Sequence, residues 1–249
     1  MGLRLFDAHC HLQDFGAKAL AAGVAAVSVN GTAPSDWEAV AQLRALSEEG
    51  AGTSPRVVAN YGLHPWRVDE RGEGDGWLNS IREHLEADPT AGLGETGLDK
   101  LRGPPMAVQR NCLVQQLRLA RHLGRPVSLH CVRASGPMAE DLRSEGPFPA
   151  GVVMHSFHGP AEMVDVIVRA AGRAYFSVSP RILAMRQDKA AAALARIGIE
   201  RLLIETDDAG IDQLASVAEG VAGLMGMSAA DVAEATFGNA TAVFSPGAC

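Results

Sequence analysis

The stretch FDAHCHLQD, residues 6–14, sets two histidines two apart in an apolar run, with an aspartate two before the first. Positions i, i+2 and i+4 of a β-strand share one face, so in an extended chain Asp7, His9 and His11 project to the same side. Three polar groups on one buried face are costly unless something binds them. Imidazole and carboxylate are metal ligands, so a bound cation is one answer; surface histidines on a half-exposed strand are the other.

Working outward, the same arrangement recurs. Short β-rich runs are each followed by a helical pattern: LRLFDA (3–8), VAAVSV (24–29), RVVANY (56–61), TAGLGE (90–95), PVSLH (126–130), GVVMH (151–155), RAYFSV (173–178) and RLLIET (201–206). Between them, residues 36–50, 76–87, 107–124, 160–172 and 188–198 repeat apolar residues at helical spacing. Eight strands alternating with helices predict an α/β fold, a (β/α)8 TIM barrel, with an open doubly wound sheet as the runner-up. No G-x-G-x-x-G follows the first strand to support a dinucleotide site. No repeat, heptad run or domain boundary stands out, and RGEGDG (71–76) reads as a loop, so residues 1–249 are expected to form one domain.

The positions of the polar residues carry the functional argument. His9 and His11 end the first strand, His64 follows the third, Glu95 ends the fourth, His130 the fifth, His155 the sixth and Asp207 the eighth. In a (β/α)8 barrel the C-terminal ends of all strands surround one mouth, where active sites lie. Residues scattered in sequence would thus be gathered in space. His84 and His122 fall inside helical patterns and act as an internal control.

Composition narrows the function. The 249 residues are 47% hydrophobic, ample for a core, and no apolar run approaches bilayer-spanning length. A formal charge of −7 argues against a broad basic surface for nucleic acid, though not against local capture of a phosphate. MGLRLF runs straight into the first motif, and Cys10, Cys112, Cys131 and Cys249 show no CxxC spacing. These features lead us to expect a cytoplasmic protein with reduced thiols, no signal peptide, no membrane contact and no obligate protein partner. Cys10 and Cys131, next to motif histidines, are expected to face the opposite side and pack in the core.

Taken in order, DAHCHL, GLHPW, GLGETGLD, QRNCLVQQLRLARHLGRPVSLH, VVMHSFHG, ETDD and FGNATAVF resemble the TatD-related metal-dependent hydrolases. That family contains deoxyribonucleases and lies within the wider amidohydrolase-like barrels. The resemblance runs from residue 7 to 244. There are departures: Gln13 follows the first motif where the family commonly has Asp, Trp66 stands where His is frequent, and Lys100 replaces an aromatic. Val132 stands where Arg is usual, with Arg133 next, and the proline after ETDA is missing. All of these lie on the substrate side.

The resemblance implies two divalent metal ions at the barrel mouth. His9, His11 and Asp207 would hold one, His130 and His155 the other, and Glu95 would bridge them; Asp207 could also accept a proton from attacking water. Such donors suit Zn²⁺ or Mn²⁺, with Mg²⁺, Co²⁺ or Ni²⁺ as further candidates. His64, His158, Arg133, Arg181 and Trp66 are the expected substrate contacts, the arginines by forked phosphate binding and Trp66 by stacking or as a hydrophobic wall. Asp7 is expected to orient a histidine or a nearby loop. The implied activity is phosphodiester hydrolysis, most readily of DNA and exonuclease-like. A small-molecule ester, lactone or amide hydrolase on the same metal pair is the first alternative, and a non-enzymatic metal-binding docking barrel the second.

Overall fold

Strand-forming, β-branched segments build one eight-stranded sheet in the computed structural model, which describes residues 2–14, 24–50 and 54–244. The strands are β1 Phe6–Cys10, β2 Ala26–Asn30, β3 Arg56–Tyr61, β4 Gly92–Asp99, β5 Val127–Val132, β6 Val152–Met154, β7 Ala174–Val178 and β8 Leu202–Ile204. Each pairs in parallel with the next, in sequence order. The ring closes where Asp207 N–H donates to the His9 carbonyl at 2.9 Å, forming a parallel bridge between Cys10 and Asp207. This is the (β/α)8 barrel, and all eight expected strands are present within a few residues of their sequence bounds.

Helices cover the outside: α1 Trp37–Glu49, α2 Gly76–Ala87, α3 Met106–Leu123, α4 Ser135–Glu145, α5 Glu162–Ala171, α6 Gln187–Ile197, α7 Leu214–Met225 and α8 Ala229–Phe244. Among the described residues none is long and apolar enough to cross a membrane. The main core lies between these helices and the barrel, with Leu93, Leu113, Leu117 and Leu129 fully buried.

A second, smaller core contains Phe6, Val58, Val153, Tyr175 and Leu203, packed with Val243 and Phe244 of α8. Two residues further along the same strands stand Asn60, His155, Ser177 and Glu205, all buried. Period-two alternation therefore puts an apolar layer at one depth of the barrel and a polar layer nearer the mouth. Asp7 clasps the closing seam: its Oδ1 accepts from the backbone N–H of His9 (3.2 Å) and Thr206 (3.1 Å), and its Oδ2 from the Thr206 hydroxyl (2.5 Å).

Candidate metal centre

The barrel mouth gathers His9, His11, His64, Glu95, His130, His155 and Asp207, all seven buried; Glu95 and His130 were expected to end their strands but lie within them, because β4 runs on to Asp99 and β5 to Val132. Glu95 is at the middle. Its Oε2 lies 3.3 Å from His9 Nε2 and 3.3 Å from His11 Nε2. Its Oε1 lies 2.9 Å from His130 Nδ1, 2.8 Å from His155 Nε2 and 3.2 Å from His64 Nε2. Asp207 Oδ1 completes the first group, 3.9 Å from His11 Nε2. Gly97 lets β4 approach β5 this closely: at φ +154 a side chain there would collide with the His130 carbonyl.

The far nitrogen of each ring shows what the near one can do. His11 Nδ1 sits 2.9 Å from the Asn30 carbonyl, which can only accept, so neutral His11 turns a lone pair at Nε2 toward Glu95. His130 Nε2 faces the Asp99 carboxylate at 3.2 Å, leaving its Nδ1 lone pair inward. His9 Nδ1 meets the Ser128 hydroxyl at 2.9 Å, and His155 Nδ1 points toward Glu205 Oε1 at 3.6 Å. With an acceptor behind each, the neutral rings of His11 and His130 thus turn lone pairs toward the Glu95 oxygens. His9 and His11 Nε2 are 3.3 Å apart, and so are His155 Nε2 and His130 Nδ1. Such a donor set fits a cation on each side of Glu95.

Titration expresses the same demand for positive charge. Burial opposes the Glu95 charge, yet the neighbouring His155 and His64, and the His11 and His130 nitrogens within hydrogen-bond reach, hold its carboxyl well below the usual range. Burial would lower His11, but Glu95 and Asp207 outweigh it and push it up to about 9. His155 is likewise raised, against burial, by Glu95 and Glu205. His9 goes the other way, lowered by burial and by the His155 charge.

His64 differs from the other rings. Its Nδ1 accepts from the Trp66 backbone N–H at 3.2 Å, so in the neutral ring the proton sits on Nε2 and is donated to Glu95. Although His64, Glu95 and His130 lie close enough to hold an ion, this tautomer makes His64 a hydrogen-bond donor to the carboxylate. A buried glutamine of α3 fixes that loop: Gln116 accepts from Leu63 N–H at 2.8 Å and donates to Thr96 Oγ1 at 2.6 Å.

A cavity of about 270 Å³ opens over the cluster, and Trp66, His158 and Arg181 line it. Arg181 approaches Asp208 at 4.0 Å, and His158 Nδ1 meets the Ser156 carbonyl at 2.7 Å. Arg133, at φ +49, lines a separate adjoining pocket instead, and His158 borders both. The expectation for Cys131 needs correction. It packs against the main core but is only half-buried and also lines the cavity, whereas Cys10 is buried in the core as expected. Cys249 lies outside the described residues. His84 and His122 sit in α2 and α3; His84 packs against the Tyr61 ring at 4.4 Å.

Sequence reasoning missed Glu205 and Asp99. Glu205 is fully buried, accepts from Ser156 N–H at 2.7 Å and lies against His155. Asp99 backs His130. Both stood inside quoted motifs, and the signal that could have found them is a carboxylate two or four residues from a mouth residue on the same strand.

The family model for TatD related DNase matches residues 6–245. A Mycobacterium tuberculosis protein named uncharacterized metal-dependent hydrolase TatD is 31% identical over 221 residues, covering 82% of this chain and 79% of that protein. Human deoxyribonuclease TATDN3 is 28% identical over 273 residues, covering 98% and 95%. Among solved structures, the Escherichia coli TatD homologue YjjV superposes with a TM-score of 0.81 at 26% identity, covering 98% of this chain and 99% of that one.

Proposed function

The chain belongs to the TatD-related DNase family of metal-dependent hydrolases, and from that premise we propose that it is a binuclear phosphodiesterase acting on single-stranded DNA or on DNA ends. The observation that carries this reading is Glu95, whose two oxygens face two separate imidazole pairs, His9 with His11 and His130 with His155. In this reading His9, His11 and Asp207 would hold one ion and His130 and His155 the other, with Glu95 placed to serve both. Zn²⁺ or Mn²⁺ suits these donors best. Bound there, two such ions supply Lewis acidity to a phosphoryl group and to water.

The chain's own groups do the rest. His64 Nε2–H steadies Glu95, Asp99 and Glu205 hold the His130 and His155 rings, and Asp207 at the rim accepts a proton from the attacking water. Arg181, His158 and Trp66 meet the substrate around the cavity, and Arg133 does so from the adjoining pocket. Residues 1–249 act as one domain. Amidohydrolase-like barrels often use a carboxylated lysine as the bridge, and a glutamate in that role favours the phosphodiesterase over the ester or lactone alternative.

The test is a screen of the metal-loaded protein against single-stranded DNA, duplex DNA, RNA, and chromogenic phosphodiesters and esters. Single strands or free ends should be cleaved fastest, with only shallow salt dependence, because a chain of charge −7 contacts few phosphates. Carboxylic ester turnover far above any phosphodiester turnover would overturn the reading.

A further inference from the structure

The guanidinium of Arg102 lies 3.8 Å over the ring of Trp66, a residue that lines the cavity. Trp66 is 39% exposed, and its Nε1 donates at 2.7 Å to Asp99 Oδ2, the same oxygen that faces His130 Nε2. The loop that carries Arg102 is fixed as firmly as its plate. Arg102 N–H donates to Asp99 Oδ1 at 3.1 Å, and its carbonyl accepts from the buried Gln109 amide at 3.1 Å. Gln109 also holds Asp99 from both sides, accepting from its N–H at 2.7 Å and donating to its carbonyl at 2.9 Å. Gly103, at φ +89, seats this loop on the Trp66 loop; a Cβ there would come within 2.6 Å of the Pro65 carbonyl.

This built position serves no structural ion pair. Arg67, Arg110, Arg118 and Arg196 each lie against a carboxylate, whereas among the described residues Arg102 has none within ion-pair distance. Stacking uses only the faces of a guanidinium and leaves its in-plane N–H groups free to bind an oxyanion in a fork. Arg102 stacks on a Trp66 ring whose other neighbours are His64 (4.7 Å) and His130 (5.6 Å), and it does not itself line the cavity over Glu95, so the phosphate assigned to it is a second one.

We propose that Arg102 binds the phosphate adjoining the scissile linkage of a single-stranded nucleic acid, with Trp66 as the plate that holds its guanidinium in place. The inference rests on the phosphodiesterase reading above and adds to it the reason an oligonucleotide is preferred over a lone diester. Replacing Arg102 removes one phosphate contact. Binding of single strands should then weaken about tenfold, as for other charge-assisted hydrogen bonds, and the slope of log affinity against log salt should shrink by about 0.7.

The experiment uses the full-length chain. KM and kcat of the metal-loaded protein are measured for a single-stranded oligodeoxynucleotide and for a dinucleotide that contains one phosphodiester only. Anisotropy of the labelled oligonucleotide in chelator gives affinity without turnover. For Arg102→Ala the loss should fall on KM for the oligonucleotide, the advantage over the dinucleotide should collapse, and the salt slope should drop. Trp66→Leu should cost at least as much, because it removes the plate beneath Arg102 together with a cavity contact. Arg201→Ala, at the opposite end of the barrel beside β8, is the control for lost charge. An Arg102→Ala protein with unchanged oligonucleotide KM and salt slope overturns the inference and leaves the phosphodiesterase intact. A wild-type protein that hydrolyses esters but neither nucleotide substrate overturns the reading beneath it.

Discussion

Glu95→Gln is the perturbation that most directly tests the centre, and the surrounding atoms say which half of it fails. Glutamine keeps one carbonyl oxygen and exchanges the other for an NH₂. The His64 Nε2–H aimed at Oε1 selects the carbonyl for that side, so the NH₂ turns toward the His9 and His11 lone pairs. A donor cannot ligate a cation, and the His9, His11 and Asp207 group therefore loses both an oxygen and a charge. At about 4 Å and an effective dielectric of ~20, a unit charge attracts a dication by about 8 kcal/mol, which is an upper bound before the remaining ligands rearrange. Even half of that is about a thousandfold in affinity. Elemental analysis after dialysis should find about one metal per chain rather than two, with kcat lower by about 10²–10³, as when a charge-stabilising partner is lost. Circular dichroism should be unchanged, because the barrel core lies below the mouth. His84→Ala, on α2, should leave metal content and rate as they were. Two metals and near-normal turnover in Glu95→Gln would refute the bridging arrangement.

Three further outcomes follow from the same geometry. His64→Gln retains an N–H donor toward Glu95, so both metals should remain and turnover should fall by less than about tenfold; loss of one metal equivalent would show that His64 is a ligand. Because His11 is pushed up to about 9, a cation entering below that pH must displace its proton. Metal affinity should therefore rise with pH until about 9, and calorimetry in buffers of different ionisation enthalpy should register proton release; pH-independent affinity would contradict it. Asp7→Ala strips three hydrogen bonds from buried donors at the barrel seam and should cost about 3 kcal/mol in denaturant unfolding, whereas an unchanged midpoint would deny the clasp.

What the sequence disclosed and what it withheld divide along a physical line. Strand ends were legible because a β-rich run followed by His or an acid is a local signal, and the barrel turns those local ends into one place. Helix α4 gave a weaker signal: it opens on Ser-Gly-Pro, residues that read as a turn although proline suits a helix's first turn. Glycines at 220 and 223 dilute the pattern of α7 in the same way, and packing against the barrel overrides them. Asp7 was visibly on the His9 face, but its partner Thr206 lies 199 residues away, and no window of sequence contains both. The tautomer of His64 was equally hidden, since it is set by which backbone group meets its far nitrogen and not by the residue's identity. That distinction matters for function. Five imidazoles surround one carboxylate, yet His11 and His130 have an acceptor behind them and His64 a donor. A motif reports that a histidine is present; the atom behind it decides whether it offers a lone pair to a cation or a proton to Glu95.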